Sequence, residues 1–281
     1  MLIHSYAKIN LGLHILRKRE DGYHDIQTIF HRVNVSDQIA MSKKAYGIHL
    51  RCNLPFIPTD ERNLCVRAAK LIFEKIGYTE GVEIDLHKQI PVGAGLGGGS
   101  SNAAAILQHL PSLIGESLDS QTMFELAAQL GSDVPFFLEQ KTAFATGRGE
   151  DLQYFACALP YSIVIVYPGV HVSTKWAYKN FRVNSSLAQF DLKDFFLSHV
   201  DQPRELVNKL RNDFEPLVFR YYEEVMRTKE IFYRTGADFA LMSGSGSSVF
   251  GLFCDENYAR ETMEFFKKKY PVFLTPPLWH P

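Results

Sequence analysis

A glycine-rich segment near the middle of the chain has the residue types of a phosphate-binding loop. Six of the seven residues at positions 93–99 are glycine or alanine, and Ser100, Ser101 and Asn102 follow them. Only glycine lets several consecutive peptide N–H groups turn inward without a Cβ atom in the way. A helix that begins directly afterwards adds free N–H groups and the positive end of its dipole. The segment therefore predicts a site for phosphate oxygens, and the alternative is a flexible loop or tight turn.

The glycine spacing alone does not identify the phosphate ligand. Gly93, Gly95 and Gly98 match the spacing of a dinucleotide-binding fingerprint, but Pro91 lies between the preceding strand and the loop. A Walker A loop would carry a lysine after its last glycine, whereas Ser100 stands there. Because the loop has no lysine, phosphoryl transfer would need a cation from elsewhere, either a metal ion or a distant lysine or arginine.

Lys8 is a candidate for that cation, and it belongs to a predicted strand. Apolar residues occupy the odd positions from 7 to 15 and alternate with Lys8 and Asn10, which is typical of a strand with one buried face. Lys8 and Asn10 therefore share the opposite face. The alternative interpretation is that both lie on a solvated strand edge.

The elements around these residues follow from hydrophobic periodicity and from residues that end helices. Helical spacing begins after Asp60 and ends at Gly77, while alternation at positions 82–86 predicts a strand leading towards the glycine run. Two helices follow at residues 101–110 and 119–130, the first closed by Pro111, and Asp133 then lies in a loop. The second half predicts a strand at 162–167, helical stretches up to about residue 235, a strand–loop–strand unit at 236–253 and a helix at 256–270.

Composition limits the class of protein. The chain has 281 residues, of which 46% are hydrophobic, so it can bury a sizeable core. Its 30 basic and 31 acidic residues leave a net charge of −1, which provides no general basic surface for a nucleic acid or an anionic membrane. The four cysteines form no C-x-x-C pair, and we interpret them as reduced thiols of a cytoplasmic protein. Neither a secretory signal nor a membrane span is predicted.

Three segments of the chain resemble one known family, the GHMP kinases. They are SYAKINLGL near the N-terminus, PVGAGLGGGSSNAAA in the middle and LMSGSGSSVFG near the C-terminus. The long glycine loop, together with REDGYHDIQTIF and GSDVPFF, resembles the branch of 4-diphosphocytidyl-2-C-methyl-D-erythritol kinases. The resemblance implies an α+β, two-domain GHMP kinase fold. It places a ribosomal-protein-S5-like, nucleotide-binding N-terminal domain at residues 1–158 and a ferredoxin-like C-terminal domain at residues 159–281.

The resemblance also implies an activity, the transfer of the γ-phosphoryl group of ATP to the 2-hydroxyl of 4-diphosphocytidyl-2-C-methyl-D-erythritol in the non-mevalonate route to isoprenoid precursors. Lys8 and Asp133 match the family's catalytic pair. Asp133 would take the acceptor proton or orient the hydroxyl, and Lys8 would keep that carboxylate ionised and balance charge near the phosphoryl group.

The ATP-binding residues that the resemblance implies extend beyond the glycine run. They are Asn63, Leu64, Lys88, Pro91, Val92, Gly93, Ala94, Gly95, Leu96, Gly97, Gly98, Gly99, Ser100 and Ser101. The alternative for Asn63 is a helix cap, and the alternative for Lys88 is a solvated strand end.

The substrate-binding residues implied by the resemblance are Asn10, Tyr23, His24, Phe30, Thr174 and Tyr178. Aromatic rings would hold the cytosine by stacking, His24 would hydrogen-bond its polar edge, and Thr174 would lie near the diphosphate. Ordinary packing is the alternative for the aromatic residues. ATP-dependent transfer normally requires Mg²⁺, but no acidic cluster in the sequence identifies a protein ligand, so the metal site is left unassigned.

Three other functions compete with this assignment. The chain could be another GHMP kinase, such as a homoserine kinase, or a nucleotide-binding sensor without catalysis on the same fold. Lys8 and Asp133 favour catalysis over the sensor. A dinucleotide oxidoreductase would follow from the glycine fingerprint alone.

Overall fold

The computed structural model describes residues 2–183, 191–207 and 209–281. The chain divides into two structural units, and neither is continuous in sequence. Unit 1 comprises Met1–Ala7, Ser36–Val92 and Gly97–Gln140, and unit 2 comprises Lys8–Val35, Gly93–Leu96 and Lys141–Pro281. The division predicted at residue 158 concerns family domains rather than these units, and it stays a prediction.

The strands include two long ones near the N-terminus, each of which contributes residues to both units. They are β1 (Leu2–Lys18), β2 (His24–Lys44), β3 (Ile48–Cys52), β4 (Gly81–His87), β5 (Thr142–Thr146), β6 (Asp151–Phe155), β7 (Ser162–Val166), β8 (Phe239–Met242), β9 (Val249–Phe253) and β10 (Val272–Thr275).

The helices are α1 (Leu64–Ile76), α2 (Gly98–Ile114), α3 (Ser120–Leu130), α4 (Thr174–Asn180), α5 (Leu192–His199), α6 (Pro203–Leu206), α7 (Glu215–Tyr221), α8 (Glu223–Arg234) and α9 (Glu256–Lys267). A short 3₁₀ helix, Pro135–Leu138, follows α3. The predicted end of α1 is confirmed, because Gly77 adopts a left-handed conformation there and donates its N–H to the Phe73 carbonyl.

Unit 1 pairs helices with a sheet built on the second half of β2. Residues 38–44 of β2 run antiparallel to β4, and β3 runs parallel to β4. Helices α1 and α2 pack against each other, and both contribute fully buried small residues, among them Ala68, Ala69, Ala103 and Ala104. This packing fixes the start of α2, where the glycine-rich segment ends.

Unit 2 contains a four-stranded antiparallel sheet with the order β10-β7-β9-β8. Helix α8 lies between β7 and β8 in sequence, and α9 lies between β9 and β10, which gives the β-α-β-β-α-β order of a ferredoxin-like arrangement. The core between sheet and helices includes Val164, Phe232, Phe253 and Phe266. In the same unit, β5 pairs antiparallel with residues 28–30 of β2 and with β6.

Both predicted boundaries of α2 are wrong, and α9 ends at Lys267 rather than at residue 270. Helix α2 does not stop at Pro111 but continues to Ile114 and is capped by Gly115. Pro111 removes a helical hydrogen bond, at a cost of about 3 kcal/mol in a helix interior. Leu110, Pro111 and Ile114 are all buried, so packing of this helix face outweighs that cost. The same helix begins at Gly98 rather than at residue 101, so two of the glycines belong to its first turn.

Candidate active site

The first half of the glycine-rich segment approaches the loop between β8 and β9 within unit 2. Gly95 has a φ of +78°, and a Cβ atom built on it would lie 2.1 Å from the carbonyl oxygen of Ser243. The Ser243 hydroxyl donates a 2.8 Å hydrogen bond to the Gly95 carbonyl, and the Ser248 N–H donates a 3.1 Å bond to the Ala94 carbonyl. Position 95 therefore requires glycine for two reasons, its left-handed backbone and the closeness of a second backbone.

Lys8 lies in a buried polar cluster of unit 2. Its side chain Nζ donates a 2.6 Å hydrogen bond to Asn10 Oδ1 and lies 4.7 Å from the centre of the Phe30 ring. Asn10 Nδ2 donates to Thr28 Oγ1 at 2.8 Å, and Thr28 Oγ1 donates to the Gly12 carbonyl at 2.6 Å. Lys8 and Asn10 are only 4% and 3% exposed. The alternative of a solvated strand edge is therefore wrong, and the ammonium group is held in a defined orientation.

Backbone hydrogen bonds join this cluster to the glycine-rich segment. The Lys8 N–H donates a 3.0 Å bond to the Leu96 carbonyl, and the Asn10 N–H donates a 3.2 Å bond to Ser243 Oγ. Ser243 therefore contacts both β1 and the carbonyl of Gly95. Strand β1, the first half of the glycine segment and the β8–β9 loop thus form one hydrogen-bonded assembly in unit 2.

The second half of the segment forms the N-terminus of α2 in unit 1. Gly97 has a φ of +68° and is the N-cap residue, and as a glycine it has no side chain with which to cap the helix. The N–H groups of a helix's first turn have no partner within the helix, so this end suits an anion. Ser101 differs, because its N–H donates to the Gly97 carbonyl and its hydroxyl donates to the Tyr6 carbonyl. Its assignment to ATP stays a prediction.

The other positions predicted to bind ATP occupy varied surroundings. Pro91 and Ser100 are half-buried, Val92 is exposed, and Ala94 and Leu96 are buried. The carbonyl oxygens of Ala94 and Leu96 accept the backbone hydrogen bonds described above, from the N–H groups of Ser248 and Lys8 respectively.

Two predicted ATP-binding residues lie at the start of α1. Asn63 is the N-cap of α1, and its Oδ1 accepts a 2.9 Å hydrogen bond from the Cys65 N–H. This confirms the cap and leaves the nucleotide contact a prediction. Leu64 lies close to the first turn of α2, since its Cδ1 is 3.7 Å from where a Cβ on Gly99 would be.

Lys88 is buried, so the alternative of a solvated strand end is wrong. Its Nζ forms an ion pair with Asp37 and donates a 3.0 Å hydrogen bond to Asn102 Oδ1. Sequence reasoning missed Asp37. A signal was available, because Asp37 shares the period-2 register of Val35 and Ile39, which are buried residues of β2. A carboxylate on the apolar face of a strand indicates a buried polar partner.

Asp133 lies in the turn between α3 and the 3₁₀ helix, as predicted, and is half-buried. The turn is closed by a 3.1 Å hydrogen bond from the Val134 N–H to the Gly131 carbonyl. Asp133 belongs to unit 1 and Lys8 to unit 2. Their pairing stays a prediction.

Two residues predicted to bind cytosine lie together in unit 2. The rings of His24 and Tyr178 are stacked, with centroids 5.1 Å apart and planes 29° apart. Burial, and secondarily the charge of Lys18, lowers the pKa of His24 below its usual value, so the imidazole is neutral at pH 7. A neutral imidazole has one donor and one acceptor nitrogen, which suits the polar edge of a base.

The remaining predicted substrate residues differ in exposure. Tyr23 is 56% exposed, and the Arg148 guanidinium lies 5.0 Å from its ring centre. Phe30 is buried beneath Lys8. Thr174 Oγ1 is 2.8 Å from Ser245 Oγ, so the start of α4 contacts the β8–β9 loop.

The described residues offer no protein cage for a divalent cation. Among them, no group of three or more histidine, cysteine, aspartate or glutamate side chains is arranged to hold a metal ion. Mg²⁺ often keeps mostly water and phosphate ligands, so such a cage is not required of an ATP-dependent enzyme. Separately, none of the helices in the described part of the chain is long and apolar enough to cross a membrane.

Known proteins resemble this chain over nearly its whole length. Residues 63–141 match the GHMP kinases N terminal domain, and residues 192–272 match the GHMP kinases C terminal domain. A 4-diphosphocytidyl-2-C-methyl-D-erythritol kinase from Chlorobium phaeobacteroides (strain BS1) is 43% identical over 279 residues, covering 99% of this chain and 97% of the relative.

Solved structures agree with the sequence matches. The crystal structure of a 4-(cytidine 5'-diphospho)-2C-methyl-D-erythritol kinase superposes with a TM-score of 0.85 at 35% identity and covers 98% of both chains. A homoserine kinase from Cytophaga hutchinsonii superposes with a TM-score of 0.74 at 17% identity, covering 98% of this chain and 95% of that one, which shows a shared fold alone. The predicted two-domain α+β fold is confirmed, and the chain belongs to the GHMP kinases and, within them, to the 4-diphosphocytidyl-2-C-methyl-D-erythritol kinase family.

Proposed function

We propose that the chain transfers the γ-phosphoryl group of ATP to the 2-hydroxyl of 4-diphosphocytidyl-2-C-methyl-D-erythritol. The products are the 2-phosphate and ADP, and the reaction belongs to the non-mevalonate route to isoprenoid precursors. The observation that carries this assignment is 43% identity over 99% of the chain to a kinase of that name. The homoserine kinase alternative has only a fold-level likeness at 17% identity.

The glycine-rich segment and the start of α2 bind the ATP phosphates in this proposal. Two features support it: the left-handed backbone at Gly93, Gly95 and Gly97, and the helix N-terminus that follows without a capping side chain. Peptide N–H groups and the helix dipole together favour phosphate oxygens. Asn63, Leu64 and Lys88 lie on the adenine side in this proposal.

Lys8 and Asp133 carry the chemistry in this proposal. Asp133 removes the proton of the acceptor hydroxyl or orients that hydroxyl, and Lys8 balances the negative charge of the transferring group. Support for Lys8 comes from its fixed orientation, since Asn10 accepts its hydrogen bond and the Phe30 ring lies against its ammonium group. A preorganised cation needs little rearrangement as charge develops.

The cytidine moiety lies between aromatic rings. Tyr23, Phe30 and Tyr178 supply the rings, and the neutral His24 hydrogen-bonds the base edge. Asn10 and Thr174 contact the rest of the substrate, with Thr174 near the diphosphate. The His24–Tyr178 stack supports this arrangement, because it places a polar ring edge beside an aromatic wall.

The metal and the cellular location complete the proposal. Mg²⁺ enters bound to ATP, and its contacts with the protein are not assigned to any residue. The enzyme works in the cytoplasm, which is supported by four free cysteines at positions 52, 65, 157 and 254.

The decisive experiment is an ADP-release assay on the purified protein with ATP, Mg²⁺ and the cytidylyl substrate. We expect ADP release that depends on the cytidylyl substrate, with little or none when homoserine or mevalonate replaces it. Asp133→Asn serves as the matched control for contaminating kinases. Turnover of homoserine or mevalonate without the cytidylyl substrate would reject the assignment, and ATP binding without any turnover would favour the sensor.

A further inference from the structure

Asp37 is the centre of a buried polar cluster in unit 1. Its side chain is 0% exposed, and its carboxylate accepts four hydrogen bonds. Oδ1 accepts from the N–H groups of Gln89 at 2.7 Å and Ile90 at 2.8 Å. Oδ2 accepts from Asn102 Nδ2 at 2.8 Å and from Lys88 Nζ. An ionised carboxylate has about four acceptor sites, so these partners occupy all of them.

The four donors come from both flanks of the glycine-rich segment. Lys88, Gln89 and Ile90 precede the segment, and Asn102 follows it in α2. A single side chain of β2 therefore contacts the residues that lead into the segment and the helix that leads out of it. Lys88 closes the cluster with its 3.0 Å hydrogen bond to Asn102 Oδ1.

Gly98 shows how closely these flanks approach. A Cβ atom built on Gly98 would lie 2.9 Å from Ile90 Cγ2 and 3.1 Å from Lys88 Nζ. The first residue of α2 thus packs directly against the segment's entry. A small shift of Lys88 would therefore displace the N-terminus of α2, which faces the phosphates in the proposed function.

A buried ion pair is weak evidence for stability, because desolvation of both charges offsets much of their attraction. Its geometry nevertheless fixes the relative positions of the groups that hold it. Two of the three N–H donors of the Lys88 ammonium are used by Asp37 and Asn102. The charge of Lys88 is therefore matched inside the protein by Asp37.

We propose that Asp37 is a positioning residue for ATP binding. It sets the spacing between residues 88–90 and the start of α2, and through that spacing it shapes the segment that holds the phosphates. This inference rests on the proposed function only in taking the segment to be the ATP site. It does not depend on which hydroxyl is phosphorylated.

The test is to move the carboxylate within the cluster and to measure ATP binding. In Asp37→Asn, the Oδ1 acceptor for Gln89 and Ile90 is retained, but the new amide opposes the donors of Lys88 and Asn102. The double variant Asp37→Asn/Asn102→Asp exchanges amide and carboxylate, so the buried lysine regains a charged partner. Asp238→Asn is the control, because Asp238, like Asp37, accepts from a cationic side chain and from backbone N–H, here those of Arg204 and Cys254.

Binding is measured by calorimetric titration with a non-hydrolysable ATP analogue, below the unfolding temperature of each variant. We expect Asp37→Asn to weaken binding about tenfold or more, as loss of hydrogen bonds to a charged group implies, while the KM for the cytidylyl substrate changes less than twofold. The double variant should recover the wild-type affinity to within about threefold. Asp238→Asn should bind the analogue as the wild type does.

Two outcomes would overturn the proposal. One is a folded Asp37→Asn variant that binds the analogue as tightly as the wild type. The other is a folded double variant that binds the analogue at least tenfold more weakly than the wild type does. This second outcome overturns the proposal even if Asp37→Asn alone does not fold. A wild-type protein that binds the analogue but does not phosphorylate the cytidylyl substrate would refute the proposed function and leave this inference intact.

Discussion

The substitution Gly95→Ala tests how the two loops of unit 2 support each other. A Cβ atom at position 95 would lie 2.1 Å from the Ser243 carbonyl oxygen, and 3.0 Å is the shortest separation that real Cβ atoms keep. One backbone must therefore move by about 0.9 Å, and a misplacement of about 1 Å can reduce catalysis by about 100-fold. We expect kcat/KM for ATP to fall by about that factor, equivalent to about 2.7 kcal/mol of transition-state stabilisation.

A matched control separates this displacement from backbone strain. Gly77 has a φ of +69°, close to the +78° of Gly95, but apart from its two chain neighbours no described residue has an atom within 4 Å of its would-be Cβ. Gly77→Ala therefore carries the left-handed strain of about 1–2 kcal/mol without a collision. Both variants should unfold at a lower temperature than the wild type, and only Gly95→Ala should lose activity.

The measurements are the initial rate of ADP release against ATP concentration and a thermal unfolding curve for each protein. Rates are compared well below both unfolding temperatures, so that the fraction of folded protein is equal. The close-approach reasoning is refuted if Gly95→Ala retains kcat/KM within threefold of the wild type. It is equally refuted if Gly77→Ala loses activity to the same degree.

Three further predictions concern other parts of the chain. Asp133→Asn should leave ATP-analogue affinity near normal and lower kcat by about 100-fold or more, and unchanged turnover would remove Asp133 from the mechanism. Tyr178→Ala should raise the KM for the cytidylyl substrate by about threefold to tenfold with the KM for ATP unchanged, because it removes an aromatic stacking contact worth about 0.5–1.5 kcal/mol. An equal rise in the KM for ATP would contradict this prediction. Burial lowers the pKa of His31 to about 4, with the charge of His280 a second cause, so the unfolded chain binds more protons between pH 6.5 and pH 4. Stability should therefore fall as pH falls through that window, by up to about 3 kcal/mol from this group. His31→Gln should flatten this part of the profile of unfolding free energy against pH, and an unchanged slope would contradict the role of His31.

Local sequence patterns were sufficient for the elements whose ends are set by neighbouring residues. The alternation at positions 7–15 predicted part of β1, and helical spacing followed by Gly77 predicted α1. The Gly-Ser cluster between two apolar runs predicted the β8–β9 pair, which is antiparallel. In each case the deciding contacts span a few residues, so one segment contains the whole signal.

Features that depend on distant partners could not be predicted from local sequence patterns. Lys8 is buried because Asn10 and Phe30 surround it, and Phe30 comes from another strand. Asp37 pairs with Lys88, 51 positions away in the sequence. The helix continues through Pro111 because tertiary packing overrides local propensity.

The same difference between local and distant determinants applies to the candidate site. The glycine run predicted a phosphate site because the relevant chemistry is in the backbone. The positive φ values at Gly93, Gly95 and Gly97 are compatible with that prediction, and it stays a prediction. The catalytic and cytidine-binding roles came from the family resemblance, and they stay predictions. No spacing in the sequence could have joined His24 to Tyr178, which lie on different elements and stack only after folding.

The hydrogen bonds of the glycine segment orient its peptide groups. The carbonyl oxygens of Ala94, Gly95 and Leu96 are all taken by donors of the protein. In a trans peptide, the N–H of the following residue points away from the carbonyl oxygen. The negative ends of these three dipoles are thus anchored inward, and their positive ends face the other way. In the proposed function, the ATP phosphates would meet no competing oxygen from these three peptides, so the segment could favour an anion through the hydrogen bonds of its backbone, without a lysine of its own.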